Sequence, residues 1–292
     1  MKVSQLLRAP AKLNLTLEVL SRREDGLHAL RSVMVPVDRY DEIVIEPAPA
    51  FRFTCDPAEL SENNLAVRAL DALGLSGAPM RMALRKHIPT GAGMGGGSSD
   101  AAAVLLAAQN GVFGPVDAVD YLQTARALGS DVPFFLVQTA ALVEGTGERV
   151  TALGAVPAWH ALVIKPPAAV ETASAYRRID AARRESRPRS DSVSLQVAQA
   201  LQRGEFDIVE RLLQNDFQDV LVPQVPEIAQ ALDRLREAGA RHPVLTGSGS
   251  CVFAVFQDKI AAGACADRLA LPAGYTAFTC GFVSGQPWRH AA

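Results

Sequence analysis

Leu13, Leu15 and Leu17 alternate with Asn14, Thr16 and Glu18 near the start of this chain, and that period of two predicts a strand. Residues 22–26 read as a turn, 28–37 as a second strand and 42–46 as a short third one. Residues 64–73 carry a helical pattern closed by Gly74. Alternation returns over 80–88, with Met80, Met82 and Leu84 on one face. An Ala- and Leu-rich helix is predicted over 100–110, then a helix over 116–128 stopped by Gly129. Short strands over 140–144 and 149–153 surround a Gly145-Thr146-Gly147 turn.

The pattern shifts near Ala155-Val156-Pro157, which sets an expected division into residues 1–155 and 156–292. Past it, a strand over 160–164 ends at Pro166-Pro167, and helices dominate over 172–182, 193–202, 206–213 and 227–238. Residues 185–191 are polar and read as a loop. Strands over 243–245 and 251–256 flank Thr246-Gly247-Ser248-Gly249-Ser250, and a helix over 258–269 and a strand over 275–282 follow. No internal repeat is visible.

One segment obeys no period. Residues 89–99 read Pro-Thr-Gly-Ala-Gly-Met-Gly-Gly-Gly-Ser-Ser, with five glycines between a strand and a nearly all-apolar helix. Without Cβ atoms, Gly91, Gly93, Gly95, Gly96 and Gly97 let an anion approach free backbone N–H groups, and a helix N-terminus adds positive potential. A mere turn is a poor account, because each glycine costs backbone entropy. Ser98 or Ser99 is the expected N-cap, with Asp100 in the first turn. A carboxylate there repels a phosphate unless it points away or pairs with a cation. Gly91-x-Gly93-x-x-Gly96 fits the dinucleotide fingerprint only formally, since the expected acidic strand end is missing. The absence of Gly-Lys-Ser/Thr at the loop's end excludes a P-loop NTPase. The absence of His-Arg-Asp and Asp-Phe-Gly excludes a protein kinase.

Composition narrows the class. The 292 residues are 49% hydrophobic and 21% charged, as in ordinary globular proteins. A net charge of -2 argues against a general nucleic-acid binder. Arg177, Arg178, Arg183 and Arg184 read as a solvated helix face or loop. Cys55, Cys251, Cys265 and Cys280 lack zinc-ligand spacing and read as buried thiols of a reducing compartment. Lys12 interrupts the only early apolar run, and no run approaches the ~18 residues of a membrane span. A cytoplasmic protein with no membrane or nucleic-acid partner is the expectation.

The glycine run resembles the ATP-binding motif of the GHMP kinases, which act on galactose, homoserine, mevalonate and phosphomevalonate. Ala9-Pro10-Ala11-Lys12-Leu13-Asn14-Leu15 with Asp25-Gly26-Leu27-His28 resembles the N-terminal motif of one branch of that family. That branch phosphorylates a cytidine-diphosphate-linked methylerythritol in the non-mevalonate route to isoprenoid precursors. Residues 128–135 resemble its catalytic-aspartate motif and residues 245–253 its third glycine motif. The resemblance spans nearly the whole chain. It implies an α+β, two-domain GHMP-kinase-like fold, with a ribosomal-S5-like α/β domain followed by a ferredoxin-like domain.

The resemblance also implies roles. Lys12 and Asp131 would be catalytic, with Asp131 as base; a capping Asp and a snorkelling Lys are the plain alternatives. Pro89, Thr90, Gly91, Ala92, Gly93, Met94, Gly95, Gly96, Gly97, Ser98 and Ser99 would hold ATP, with Asn64 bordering the adenine. Ser99 would ligate Mg2+ or, equally, cap the helix. Asn14 and His28 would read the cytosine, and Gly247, Ser248 and Gly249 would close the substrate side or simply form a tight turn. Leu27 departs from the family's usual Tyr, expected to stack on the cytosine; Tyr176 and Phe217 are candidate substitutes.

Overall fold

A computed structural model describes residues 4–116, 118–182 and 192–283. Asp117, the loop over 185–191, Arg183, Arg184 and the tail beyond 283 lie outside the described residues.

Two long antiparallel strands, β1 (Gln5–Arg22) and β2 (His28–Pro47), form the spine of the first sheet. The predicted second and third strands are one continuous element, because β2 bends past a register shift opposite Pro10 and Ala11 instead of breaking. The first part of β2 pairs with β5 (Ala140–Gly145), which carries β6 (Arg149–Gly154). The later part pairs with β4 (Met80–Arg85), which carries the unpredicted β3 (Arg52–Asp56). Helices α1 (Leu65–Ala72), α2 (Gly96–Gln109), α3 (Tyr121–Leu128) and α4 (Val132–Leu136) bury one face of this sheet.

The second sheet is antiparallel, in the order β11-β7-β10-β9. It comprises β7 (His160–Lys165), β9 (Val244–Leu245), β10 (Val252–Phe256) and β11 (Thr276–Gly281). Both of its faces are buried, and the alternation sorts them. Ala161, Val163, Phe253 and Val255 meet Leu13, Leu15, Val33 and Val35 of the first sheet, along with helix α6 (Val193–Arg203). Leu162, Ile164, Val252 and Ala254 pack instead against α5 (Thr172–Ala182), α8 (Asp216–Leu221) and α9 (Pro226–Glu237). Between these lie α7 (Phe206–Arg211) and the two-residue β8 (Gln214–Asn215), which joins the first sheet parallel to β1; α10 (Lys259–Ala266) precedes β11.

The halves therefore share a core. β1 shows why: its polar positions do not face water. Lys12, Asn14, Thr16 and Glu18 are 2%, 0%, 0% and 1% exposed, so the second face of the strand is a buried polar row. Buried polar residues are the informative kind, and this row leads to the site.

Candidate active site

The glycine loop is clamped from both sides. Lys12 N donates to Met94 O at 3.0 Å, and Cys251 N donates to Ala92 O at 3.2 Å. Gly91, Gly93 and Gly95 all have positive φ, so alternate residues of the loop turn their backbone the same way. A Cβ on Gly93 would lie 2.1 Å from Thr246 O, so glycine is required where the two glycine loops touch. Helix α2 starts at Gly96, four residues before the predicted start, with Gly95 as a left-handed N-cap that offers no side-chain bond. Its first N–H groups are consequently left for a ligand. Neither Ser98 nor Ser99 is the N-cap. Ser98 lines the adjoining cavity. Ser99 is fully buried and donates its hydroxyl to Pro10 O at 2.6 Å, so it is turned into the sheet.

Asp100 lines the same cavity as the glycine loop and has a cation. Lys86 Nζ lies 2.5 Å from Asp100 Oδ2 and also bonds Asp41, whose Oδ1 accepts from Ile88 N at 2.8 Å. Burial pushes the Asp100 carboxyl up to about 8 against the pull of Lys86, with Asp41 adding to the rise.

Lys12 Nζ lies 3.6 Å from Asp131 Oδ2. The Lys12 side chain is 3% exposed and that of Asp131 is 29%, so the carboxylate reaches the cavity while the ammonium stands behind it. Burial lowers the Lys12 pKa, and Asp131 resists the shift. Asp131 occupies the N-cap position of α4 yet makes no capping bond, so its carboxylate is not occupied by the helix. Lys12 does not snorkel; its Nζ also donates to Asn14 Oδ1.

A cavity of about 550 Å³ holds these groups together. Lys12, Asp131, Pro89 through Ser98, Asn64 and the Gly247-Ser248-Gly249 loop all line it. Asn64 caps α1 through its Oδ1, which accepts from Ala66 N at 3.0 Å, and so presents only its flank to the cavity. Ser248 Oγ pairs with Thr172 Oγ1 at 2.8 Å, which ties the second loop to α5.

Asn14 and His28 do not converge. His28 pairs with Arg22, eight residues beyond Asn14 on β1, a separation of roughly 25 Å along an extended strand. The Asn14 amide has protein partners: Oδ1 accepts from Lys12, and Nδ2 donates to Ser32 Oγ at 2.8 Å. Its backbone N–H donates to Thr246 Oγ1 at 3.0 Å. Asn14 therefore holds Lys12 from within the first cavity, apart from His28. His28 lines a second cavity of about 560 Å³ with Arg22, Leu27, Arg126 and Asp180. Ser130 and Tyr176 wall both cavities and join them. Tyr176 stacks on His28 with ring centroids 4.9 Å apart and meets Phe217 edge-on at 4.9 Å.

Comparison with known proteins decides the family. Residues 64–139 match the family described as GHMP kinases N terminal domain, and residues 197–272 match GHMP kinases C terminal. A 4-diphosphocytidyl-2-C-methyl-D-erythritol kinase of Symbiobacterium thermophilum is 41% identical, over 89% of this chain and 93% of its own. One from Geobacter sp. strain M21 is 38% identical, over 95% and 98%. The chain belongs to the GHMP kinases, in this 4-diphosphocytidyl-2-C-methyl-D-erythritol kinase branch. A solved 4-(cytidine 5'-diphospho)-2C-methyl-D-erythritol kinase superposes with a TM-score of 0.79 at 36% identity, over 97% of this chain and 100% of the other. The L. major mevalonate kinase shares the fold, with a TM-score of 0.67 at 15% identity.

This GHMP kinase is thus an ATP-dependent small-molecule kinase with the α+β fold of its family. Among the described residues no helix is long and apolar enough to cross a membrane. The four cysteines are free and buried. Sequence reasoning missed Asp41, Lys86, Ser32 and Asp180. Each acts through a partner far away in sequence (Asp180 lies 152 positions from His28), so no local signal marks it.

Proposed function

We propose that this kinase transfers the γ-phosphoryl of ATP to a hydroxyl of 4-diphosphocytidyl-2-C-methyl-D-erythritol. The observation that carries the reading is the Lys12–Asp131 pair at the junction of two cavities, one walled by the glycine loop and one by His28 and Tyr176. The first suits a triphosphate: uncapped N–H groups at the start of α2 and a backbone without Cβ atoms. The second suits a base and a diphosphate. Arg22 and Arg126 reach only backbone carbonyls there, at 3.5 and 3.3 Å, so their charges face the cavity without a carboxylate partner among the described residues.

The acceptor oxygen attacks the γ-phosphorus, the bond to the bridging oxygen of ADP breaks, and the hydroxyl proton passes to Asp131. The transition state is loose, so the proton moves late and positioning carries most of the rate. Lys12 pairs with Asp131 and offsets charge on the transferring group. Asn14 and Thr246 hold Lys12 in place. The acidic groups here do not form a three-ligand metal cluster among the described residues. That donor set fits Mg2+ held mainly by phosphate oxygens and water, with Ser98 rather than Ser99 as the hydroxyl from this chain. Bound there, the ion would neutralise phosphate charge. The residues up to about 155 would form the ATP-binding unit and those beyond it the substrate-closing unit, in a reducing cytoplasm that suits four free thiols.

The test is ATP turnover with the cytidylyl compound beside mevalonate, homoserine and galactose. Turnover confined to the cytidylyl compound, lowered about 10²- to 10⁴-fold in Asp131→Ala, is the expected result. Turnover of another alcohol would leave the kinase and remove the substrate. An unaffected Asp131→Ala rate would remove the base.

A further inference from the structure

Gly129 and Ser130 are the only residues between the end of α3 and Asp131, whose carboxylate makes no capping bond to α4. What lies against this short link comes from another element, the tip of the hairpin formed by β5 and β6. Gly147, in that tip, has a φ of +112, a conformation that side chains disfavour. A Cβ on it would overlap Ser130 O and lie 3.1 Å from both Ser130 C and Ser130 Cβ. That carbonyl belongs to the peptide whose nitrogen is Asp131's own. Gly147 itself lines neither cavity, whereas Ser130 walls both.

The tip is fastened on three sides. Glu148 Oε2 accepts from Thr146 N at 2.5 Å and from Thr146 Oγ1 at 2.8 Å, which closes the turn on itself. Arg126 of α3 donates to Glu148 O at 3.3 Å. Arg31 of β2 pairs with Glu144 at 2.8 Å. The turn is thus bound to the helix before the link and to the strand beside it, so an atom added at residue 147 bears on the Ser130–Asp131 peptide.

We propose that Gly147 is a positioning residue for phosphoryl transfer. Its bare Cα lets the hairpin tip seat on the Ser130–Asp131 peptide, and that seat sets where the Asp131 carboxylate stands against Lys12. Placement carries most of the rate in this chemistry, and a shift of about 1 Å at a reacting group can cost roughly a hundredfold. The plain alternative is a glycine that only lets the hairpin turn. Gly154, at the end of β6, separates the two: its φ is +79 with nothing within 4 Å, so Gly154→Ala carries a backbone penalty without any contact on Ser130.

This inference rests on Asp131 as the base, and the experiment distinguishes the two. Turnover of the cytidylyl compound is measured for wild type, Gly147→Ala, Gly154→Ala, Asp131→Ala and the Gly147→Ala/Asp131→Ala double variant. In Gly147→Ala, kcat should fall about 10- to 100-fold with KM for ATP unchanged, while Gly154→Ala stays near wild type. With Asp131 already gone, Gly147→Ala should cause no further fall, because the two act as one unit. Glu148→Ala frees Thr146 without adding an atom and keeps the test open should Gly147→Ala not fold; its smaller fall in kcat should likewise vanish in the Asp131→Ala background. An equal fall in both backgrounds, or a loss seen in KM alone, would overturn the role of Gly147 and leave Asp131 as the base. An Asp131→Ala rate equal to wild type would remove the base and this inference with it.

Discussion

Asp100 shows what a single residue can reveal that its neighbours in sequence cannot. It is the fifth residue of α2, just past the first turn, and lines the cavity with the glycine loop, where a negative charge opposes an anion. Lys86 answers it, but Asp41 shares that lysine, so two buried carboxylates divide one cation. The native carboxyl of Asp100 holds its proton up to about 8, against an ordinary 3.8 in the unfolded chain. Between those values the native state binds more protons than the unfolded state, so stability falls as pH rises through that window. Asp100→Asn mimics the protonated acid and leaves Lys86 with Asp41 alone. The variant should match wild type near pH 4 and exceed it by about 1–3 kcal/mol at pH 8. Urea denaturation at several pH values checks this; a wild-type curve as flat as the variant's would refute it. Lys12 and Asp131 were legible because each lies inside a distinctive motif. Lys86 and Asp41 were not, since 45 residues separate them and neither stands in a pattern. Ser99 was misread for the same reason: its partner, Pro10, is 89 residues away.

At the scale of elements, periodicity located most strands and helices, and it failed where long-range contact sets the geometry. β2 reads as two strands because Asp38 and Arg39 interrupt its apolar run, but pairing with β1 carries the chain through. β3 does alternate, with Phe53 and Cys55 turned to the core between Arg52, Thr54 and Asp56, but five residues give too short a period to stand out, and its ladder among the described residues is on β4. Helix α2 begins inside the glycines because the loop needs Gly96 beside Lys86 Nζ, where a Cβ would lie 3.2 Å away. The glycines of the loop are consequently not equivalent, and substitution sorts them. Gly91 has a φ of +59 with nothing within 4 Å, so Gly91→Ala meets only the left-handed penalty of about 1–2 kcal/mol. Gly93→Ala adds a clash with the backbone of Thr246 that no rotamer relieves. A loss of about 4 kcal/mol or more is expected there, together with a raised KM for ATP as the two loops part. Thermal denaturation and ATP kinetics on the pair measure the difference. Equal losses would mean that the loops do not need their contact.

For the whole molecule, the chain's change of pattern near residue 155 and the assembled core tell different stories. The first sheet closes at Gly154 and the second opens at His160, so strand membership divides the chain there apart from β8. The core does not divide. Leu13, Leu15, Val33, Val35 and Val37 are each fully buried, and much of what covers them is Ala161, Val163, Phe253, Val255 and the apolar side of α6. The polar row of β1 is likewise completed from the second half. Thr16 meets Ser194 at 2.7 Å, Glu18 accepts from Ser192 at 2.7 Å, and Asn14 N–H needs Thr246. A fragment of residues 1–155 would expose five large apolar side chains, worth about 1.5–3 kcal/mol each, and strand those buried polar groups. Domains are marginally stable, at about 5–15 kcal/mol, so a loss of that size removes the fold. The fragment should show no cooperative unfolding transition and should bind no ATP, whereas the full chain unfolds in one step with both halves together. Co-expression with residues 156–292 should restore ATP binding, because the missing contacts are noncovalent. A fragment that melts cooperatively alone would show that the shared core is a docking surface between two self-sufficient units. The catalytic pair, Lys12 and Asp131, would then be rigid before the second half arrives, and the role of Thr246 in holding Lys12 through Asn14 would be lost.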